Sequence, residues 1–336
     1  MSSNALNPAA RKPYLHLFKV MPSSVALIPV LVLLLIVGSV ANDAFLLPAN
    51  LLTILQQSSI IALLVLAESL VLIAGKFDLS LESTVGLAPM IGGWLVTTAA
   101  IGGSGWMVNP YLAIGVTLLV GILIGAFNGF LIVKLGLNAF IVTLSMLILL
   151  RGVTLGMASG KTLYDLPPEF TYLGSAVWFG VPASIWICGT FFAVGTFLMR
   201  YHRFGRAIYA IGGNPEAARA AGIRVERVTW IVFVVASLLA ALAGLLLSGR
   251  LGAITAQQGG NMIFTTFAAA VIGGISLNGG KGSLAGALLG VLLLGVVTNI
   301  LTLSQIASFW IDAAFGAIIL IALSVVRLTG GARSQS

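Results

Sequence analysis

Three ionisable side chains fall in or beside long apolar runs of this chain: Glu68, Arg151 and Asp312. An unpaired charge at the centre of a membrane costs about 2.5–3.5 kcal/mol, so each should face protein or water. Two chemistries suit such residues. One is ion pairing or snorkelling. The other is a proton relay, which fits less well because Glu68 is the only carboxylate placed deep in an apolar run. The densest polar chemistry lies elsewhere, in the basic stretch from Arg200 to Arg227. That stretch holds Glu216-Ala217-Ala218-Arg219-Ala220-Ala221-Gly222. Gly212-Gly213-Asn214-Pro215 reads as a turn. Asn214 is placed to cap a helix that Pro215 begins, and Glu216 stands at its positive end. Gly222 ends that helix after about two turns. Small alanine side chains would let such a rod seat deep in a cleft of another protein. An ordinary loop helix fits the same residues.

Other chemistries fail on spacing. Gly280-Lys281-Gly282-Ser283 invites a phosphate-loop reading, but that pattern needs Ser or Thr directly after the Lys. It also needs a Gly where Ile275 stands. These glycines instead predict a sharp turn. Cys188 is the only cysteine, so no disulfide forms within one chain. It reads as a small apolar residue inside a helix. His16 and His202 lie far apart with no Cys or carboxylate cluster nearby, which argues against a metal site. No enzyme active site is evident.

The elements that carry these residues are membrane spans. Hydrophobic residues make up 59% of the chain and charged residues 8%, against about 25% charged in a soluble domain. The mean hydropathy of +1.11 and repeated apolar runs of about 20 residues define an all-α, polytopic membrane protein. A transmembrane β-barrel would alternate instead. The predicted spans are 23–41, 51–74, 79–100, 111–133, 138–158, 183–199, 230–249, a short 263–277, 284–303 and 309–326, ten in all. The eighth is too short to cross a ~30 Å core as straight helix. Gly259-Gly260 and Gly273-Gly274 flank it, so a broken or re-entrant segment packed inside protein is expected there.

Arg11, Lys12 and Lys19 precede the first run, and Ser39-Val40-Ala41 resembles a cleavage site. An uncleaved first span is the expectation, because a basic cytoplasmic start orients it well. With that start inside, Lys76, Lys134, the arginines of 200–227, Lys281, Arg327 and Arg333 all fall on the cytoplasmic side. Lys161 and Arg250 fall outside with Asp43, Asp165 and Glu169. The asymmetry predicts cytoplasmic termini. The resulting organisation is a cytoplasmic segment 1–22, a transmembrane domain 23–327 with a cytoplasmic loop 200–229, and a cytoplasmic tail 328–336. The net charge of +8 sits in loops and sets orientation; it is no signal for nucleic acid, and the expected surroundings are membrane lipid.

Gly121, Gly125 and Gly129 repeat at four-residue spacing, as do Gly282, Gly286 and Gly290. Such spacing makes a flat helix face for close packing. Each glycine-rich span carries an Asn, Asn128 or Asn299, and Ile73-Ala74-Gly75 echoes Ile272-Gly273-Gly274. The pattern suggests an inverted repeat; chance likeness among glycine-rich helices explains it as well.

Glu-Ala-Ala, three residues, then Gly resembles the motif of bacterial ABC importer permeases, whose coupling helix docks on an ATP-binding subunit. The surrounding Ala210-Ile211-Gly212-Gly213-Asn214-Pro215-Glu216-Ala217-Ala218-Arg219 is similar to the ribose-type sugar permeases in particular. The likeness continues through Gly222-Ile223, Val271-Ile272-Gly273-Gly274, Ser276-Leu277, Gly279-Gly280-Lys281-Gly282-Ser283 and Ser308-Phe309-Trp310. It covers nearly everything after the first span. One stretch departs. The family pattern Gly-Gly-Ile-Asp-Leu-Ser-Val-Gly-Ser is here Gly75-Lys76-Phe77-Asp78-Leu79-Ser80-Leu81-Glu82-Ser83, with charges at Lys76 and Glu82 that could pair with each other. The resemblance implies a ten-span permease of the bacterial inner membrane, acting as a dimer of two copies or two paralogues, with solute passing at the interface. It implies a coupling helix of Asn214, Glu216, Ala217, Ala218, Arg219 and Gly222. It implies a partner ATP-binding cassette subunit that holds the ATP, no cofactor on this chain, and an extracytoplasmic sugar-binding protein. A neutral sugar needs hydrogen-bonding side chains and an apolar ring face. Gln56, Gln57, Asn128, Asn299 and Phe140 are the candidates; bonding to a neighbouring helix is the competing role for the amides. Two alternatives remain: an ion-coupled secondary transporter, and an ABC permease for branched-chain amino acids or nucleosides.

Overall fold

The computed structural model describes residues 23–307 together with 309–311, 313, 314, 316, 317 and 320. Asp312, the predicted segments 1–22 and 328–336, and most of the predicted tenth span lie outside the described residues.

The described residues are mostly helical. In order, the helices are α1 (Ser23–Ala41), α2 (Pro48–Ile73), α3 (Leu81–Val96), α4 (Pro110–Val133), α5 (Ala139–Ala158), α6 (Pro168–Ser175), α7 (Ala183–Tyr201), α8 (Arg203–Gly213), α9 (Pro215–Ala220), α10 (Val225–Leu251), α11 (Met262–Ile272) and α12 (Leu284–Leu303). A two-residue hairpin, β1 (Val177–Trp178) with antiparallel β2 (Val181–Pro182), separates α6 from α7. Among the described residues, six helices (α2, α4, α5, α7, α10 and α12) are long and apolar enough to cross a membrane; α3, α11 and the apolar part of α1 are shorter. The protein is a polytopic helical membrane protein, as its sequence predicts.

Local signals set the helix starts. Asn109 and Asn138 accept the first amides of α4 and α5, and proline opens α2, α4 and α6. The third predicted span shrinks at both ends. Asp78-Leu79-Ser80 forms an entry turn, where Asp78 Oδ1 accepts the Ser80 amide, and Thr97 turns extended after Val96. The eighth is shorter than expected: eleven residues span only about 16 Å, half the hydrocarbon core. Helix α6 and the hairpin were not predicted; eight residues are too few for a periodic signal.

Helix α10 runs through the middle and packs on α2, α3 and α4. The predicted glycine face of α4 meets it. A Cβ on Gly121 would stand 2.8 Å from the Ser237 carbonyl oxygen, and one on Gly129 would stand 2.7 Å from the Trp230 ring. Gly286 and Gly290 of α12 come closer still to the backbone at the end of α11, at Gly273 and Ala269, whereas Gly282, predicted on the same face, precedes α12 and lies against Ile275. In a bilayer, where lipid competes for apolar contact, such close approach is the main source of helix affinity. The two echoing tripeptides also end their helices alike. Gly75 and Gly274 both take positive φ, and the next amides, Lys76 and Ile275, bond to Val71 and Ala270, five residues back in each case.

Candidate functional site

The predicted capped rod is present as α9. Asn214 is extended (φ −159°), and its side chain accepts the Glu216 and Ala217 amides at 3.0 Å each. Pro215 takes the first helical position, and Gly222 follows the last turn at φ +83°. Only Ala218 of this helix is buried, in a small cluster with Ile211 and Val225; the remaining surface is open. Arg219 ties the rod to the longest helix. Its guanidinium donates to Glu226, in the first turn of α10, at 2.6 Å and to Glu216 at 2.7 Å. Those two hydrogen-bonded carboxylates, Glu226 first, hold Arg219 above its ordinary pKa.

Helix α8, directly before the rod, carries a second connection. Its last residues meet the end of α2 and the turn between α11 and α12 in a contact made of backbone alone. A Cβ on Gly212 would strike the Ile73 carbonyl oxygen and stand 2.5 Å from the Gly280 amide nitrogen. That amide donates to the same Ile73 oxygen at 2.9 Å. Gly279 approaches Gly75, and Gly280 approaches Gly213, just as closely. The Tyr209 hydroxyl donates to the Gly282 carbonyl at 2.9 Å. Three glycine pairs or singlets read separately in the sequence (Gly75, Gly212-Gly213 and Gly279-Gly280) are therefore one joint. A cleft of about 460 Å³ opens beside it, lined among others by Lys76, Gly212, Arg219, Glu226 and Asn278.

The interior holds more charge than the sequence suggested. Glu68 is fully buried, yet it is not alone. Its Oε1 lies 3.5 Å from the Asp78 amide, and Asp78 is fully buried as well. The Ser80 hydroxyl donates to Asp78 Oδ1 at 2.5 Å, and Asn128 Nδ2 donates to that hydroxyl at 2.8 Å. Glu68 Oε2, Asp78 Oδ2 and Asn128 Oδ1 have no hydrogen-bond partner among the described residues. The expected Lys76–Glu82 pair does not form. Glu82 points into the protein, where its Oε1 accepts Arg151 Nη2 at 2.5 Å and its Oε2 accepts the Ile263 amide at 3.2 Å. Lys76 instead lines the cleft. Glu82 is the second residue of α3, so its side chain follows the helix face that packs on α5.

The predicted pathway residues do not share one place. Asn128 belongs to the buried Asp78 cluster. Asn299 and Asn50 exchange amide hydrogen bonds at 2.8 and 3.0 Å, joining α12 to α2. Gln57 is exposed and lines a small 110 Å³ cavity with Ser58, Thr265 and Thr298, while Gln56 is half-buried. Phe140 is exposed and sits edge-on to Phe77, which in turn lies 5.9 Å from Phe267. Sequence reasoning missed Gln258. Its amide donates to the Val85 and Gly244 carbonyls and to Ser248, pinning the chain before α11 onto α3 and α10. The signal was available: a Gln preceding Gly259-Gly260 between apolar runs.

Comparison with known proteins gives a consistent result. Residues 50–323 match the family described as branched-chain amino acid transport system / permease component. The ribose import permease protein of Escherichia coli K12 is 36% identical over 304 residues, covering 89% of this chain and 92% of that protein. The ribose import permease protein of Bacillus subtilis 168 is 34% identical over 299 residues, covering 88% and 90%. The autoinducer 2 import system permease protein of E. coli O9:H4 is 33% identical over 292 residues, covering 87% and 83%. No solved structure matches.

Proposed function

This chain belongs to the family of branched-chain amino acid transport system permease components, and from that premise we propose that it is the membrane subunit of an ATP-driven ABC importer for a pentose- or hexose-class sugar. The ribose and autoinducer 2 import permeases among its relatives support that cargo class. It works in the bacterial inner membrane with both termini cytoplasmic, beside a second copy or a paralogue. An extracytoplasmic binding protein delivers the solute, and a separate subunit binds and hydrolyses ATP.

The observation that carries the coupling half of this reading is the way α9 is held. The rod is rigidly capped, almost entirely open on its outer surface, and linked backward by two routes. Arg219–Glu226 leads into α10. The Gly212 joint leads into α2 and into the turn joining α11 to α12. A push on α9 therefore reaches three spans at once. Packed helices of this kind move as bodies between discrete arrangements, and closure of the ATP-binding subunits selects one of them.

The test replaces Glu216 by Ala, or Gly222 by Val. The second change strains a backbone at φ +83°. Solute uptake and permease-stimulated ATP hydrolysis should fall at least about tenfold while membrane insertion stays normal. Full coupling in both variants would count against the assignment. Reaction of a Glu216→Cys variant with an impermeant reagent only from the cell exterior would end it.

A further inference from the structure

Arg151 is the thirteenth residue of α5, so about 18 Å of helix separates it from the capped start. That is close to mid-depth in a ~30 Å hydrocarbon core. Its side chain is 30% exposed. Glu82 takes hydrogen from one guanidinium nitrogen, Nη2; Nη1 and Nε bond to none of the described residues. The fork lies against the turn before α11, with Nη1 3.5 Å and Nη2 3.6 Å from where a Cβ on Gly260 would stand. On either side of Gly260 in sequence, Gln257 and Asn261 are exposed. The face is thus open and carries spare donors at a depth where lipid would not tolerate them. Lipid cannot meet those donors, so water, solute or a second protomer must.

Glu82 decides what kind of solute. It holds the fork from one side and is itself held by the Ile263 amide. The pair is neutral overall, and its carboxylate would repel an anion approaching the guanidinium. What remains on offer is a planar set of N–H donors in fixed geometry against the turn that carries the exposed Gln257 and Asn261. Adjacent hydroxyls of a neutral sugar present oxygens at a spacing that such a fork can bridge. Phe264, 61% exposed and one turn past Asn261, supplies an apolar surface for a ring face. We propose that Arg151, positioned by Glu82 and flanked by Gln257 and Asn261, forms a mid-membrane subsite for a neutral polyhydroxylated solute. Glu82 stands where the resembled sugar-permease pattern has glycine, so this chain orients its fork in a way that pattern does not provide. The inference rests on the import reading above for its cargo, but not for the location of the aqueous face.

Two experiments separate those dependencies. In a Cys188→Ala chain in native membranes, Gln257→Cys and Asn261→Cys should each react with a charged, membrane-impermeant thiol reagent. Failure of both to react overturns the aqueous face whatever the protein transports. In vesicles holding the assembled transporter and its binding protein, uptake of a panel of neutral pentoses and hexoses is compared with uptake of gluconate. Wild type should carry a neutral sugar and not gluconate. Arg151→Lys, which keeps the charge pair but loses the fork, should raise the half-saturating sugar concentration about tenfold at unchanged recovery of assembled complex. Glu82→Gln with Arg151→Gln removes both charges together and should raise it further. Wild-type half-saturation in Arg151→Lys overturns the subsite, as does preferential uptake of gluconate by wild type. Absence of any ATP-dependent uptake by wild type, with both cysteines reactive, refutes the import reading and leaves the aqueous face standing.

Discussion

Among the described residues, two arginine–glutamate clusters of nearly identical chemistry stand in opposite surroundings. Arg219 joins Glu216 and Glu226 in the open, on the rod and the helix behind it. Arg151 joins Glu82 in the interior, where the carboxylate is almost completely buried. In water, the attraction between such groups is screened and barely exceeds the entropy lost in fixing two long side chains. At the inner site the Glu82 carboxylate cannot be left alone, because a buried, unpaired charge is destabilising. The outer cluster can therefore exchange partners as the protein moves, whereas the inner one is fixed in every state that keeps α3, α5 and α11 packed. One suits a moving contact and the other suits a fixed point of recognition.

The sharpest way to break this comparison is Glu82→Ala. It leaves the 30% exposed Arg151 guanidinium without its carboxylate and removes the acceptor of the buried Ile263 amide. The expected loss is about 1–3 kcal/mol of folded-state stability. It is read as a lower temperature of aggregation in detergent and a lower yield of monodisperse protein. Alanine at Glu82 and Arg151 together should recover much of that loss, since no unpaired charge remains. A single variant as stable as wild type would mean that Arg151 already has another partner in the membrane.

Next in size is Gly212→Ala. Here the obstacle is backbone on both sides, the Ile73 carbonyl and the Gly280 amide, and neither can rotate away as a side chain would. Overpacking of this kind costs about 1–3 kcal/mol. The larger consequence should be functional, with uptake lost although the protein inserts. Gly213→Ala is the control, because a Cβ there meets nothing within 4 Å; its uptake should match wild type. Equal loss in both would show that the close contact at Gly212 is not what transmits motion.

What the sequence revealed depended on how local the signal was. The apolar runs, the capped rod at Asn214-Pro215 and the glycine faces of α4 and α12 are contiguous or regularly spaced, and each was readable from types and spacing. The partners of interior charges were not. Glu82 lies 69 positions from Arg151 and 181 from Ile263, so nothing nearby in the chain distinguishes it from the Lys76 partner that proximity suggested. Asn299 shows the same limit. Its partner Asn50 is 249 positions away, and an amide in an apolar run looks the same whether it faces solute or another helix. The joint of Gly75, Gly212 and Gly280 combines both cases. Each glycine was visible as a turn, but their meeting is a tertiary fact.

The smallest expected change in stability, and the most informative about coupling, comes from Arg219→Ala. The side chain is exposed, and both partners can turn to water, so thermal stability should match wild type within error. The ion-pair route from α9 into α10 is nevertheless cut, while the Ala218–Val225 packing and the Gly212 route stay whole. If the two routes act together, ATP hydrolysis stimulated by the permease should persist while sugar moved per ATP falls by about half or more. Raising salt to about 1 M on the wild-type protein should move it part of the way toward the same defect, because the Debye length then falls to about 3 Å, close to the separation of these exposed pairs. An unchanged ratio of sugar to ATP in both measurements would leave the glycine joint and the Ala218–Val225 packing as the mechanical links. The outer cluster would then serve only to hold the rod in register while the partner docks.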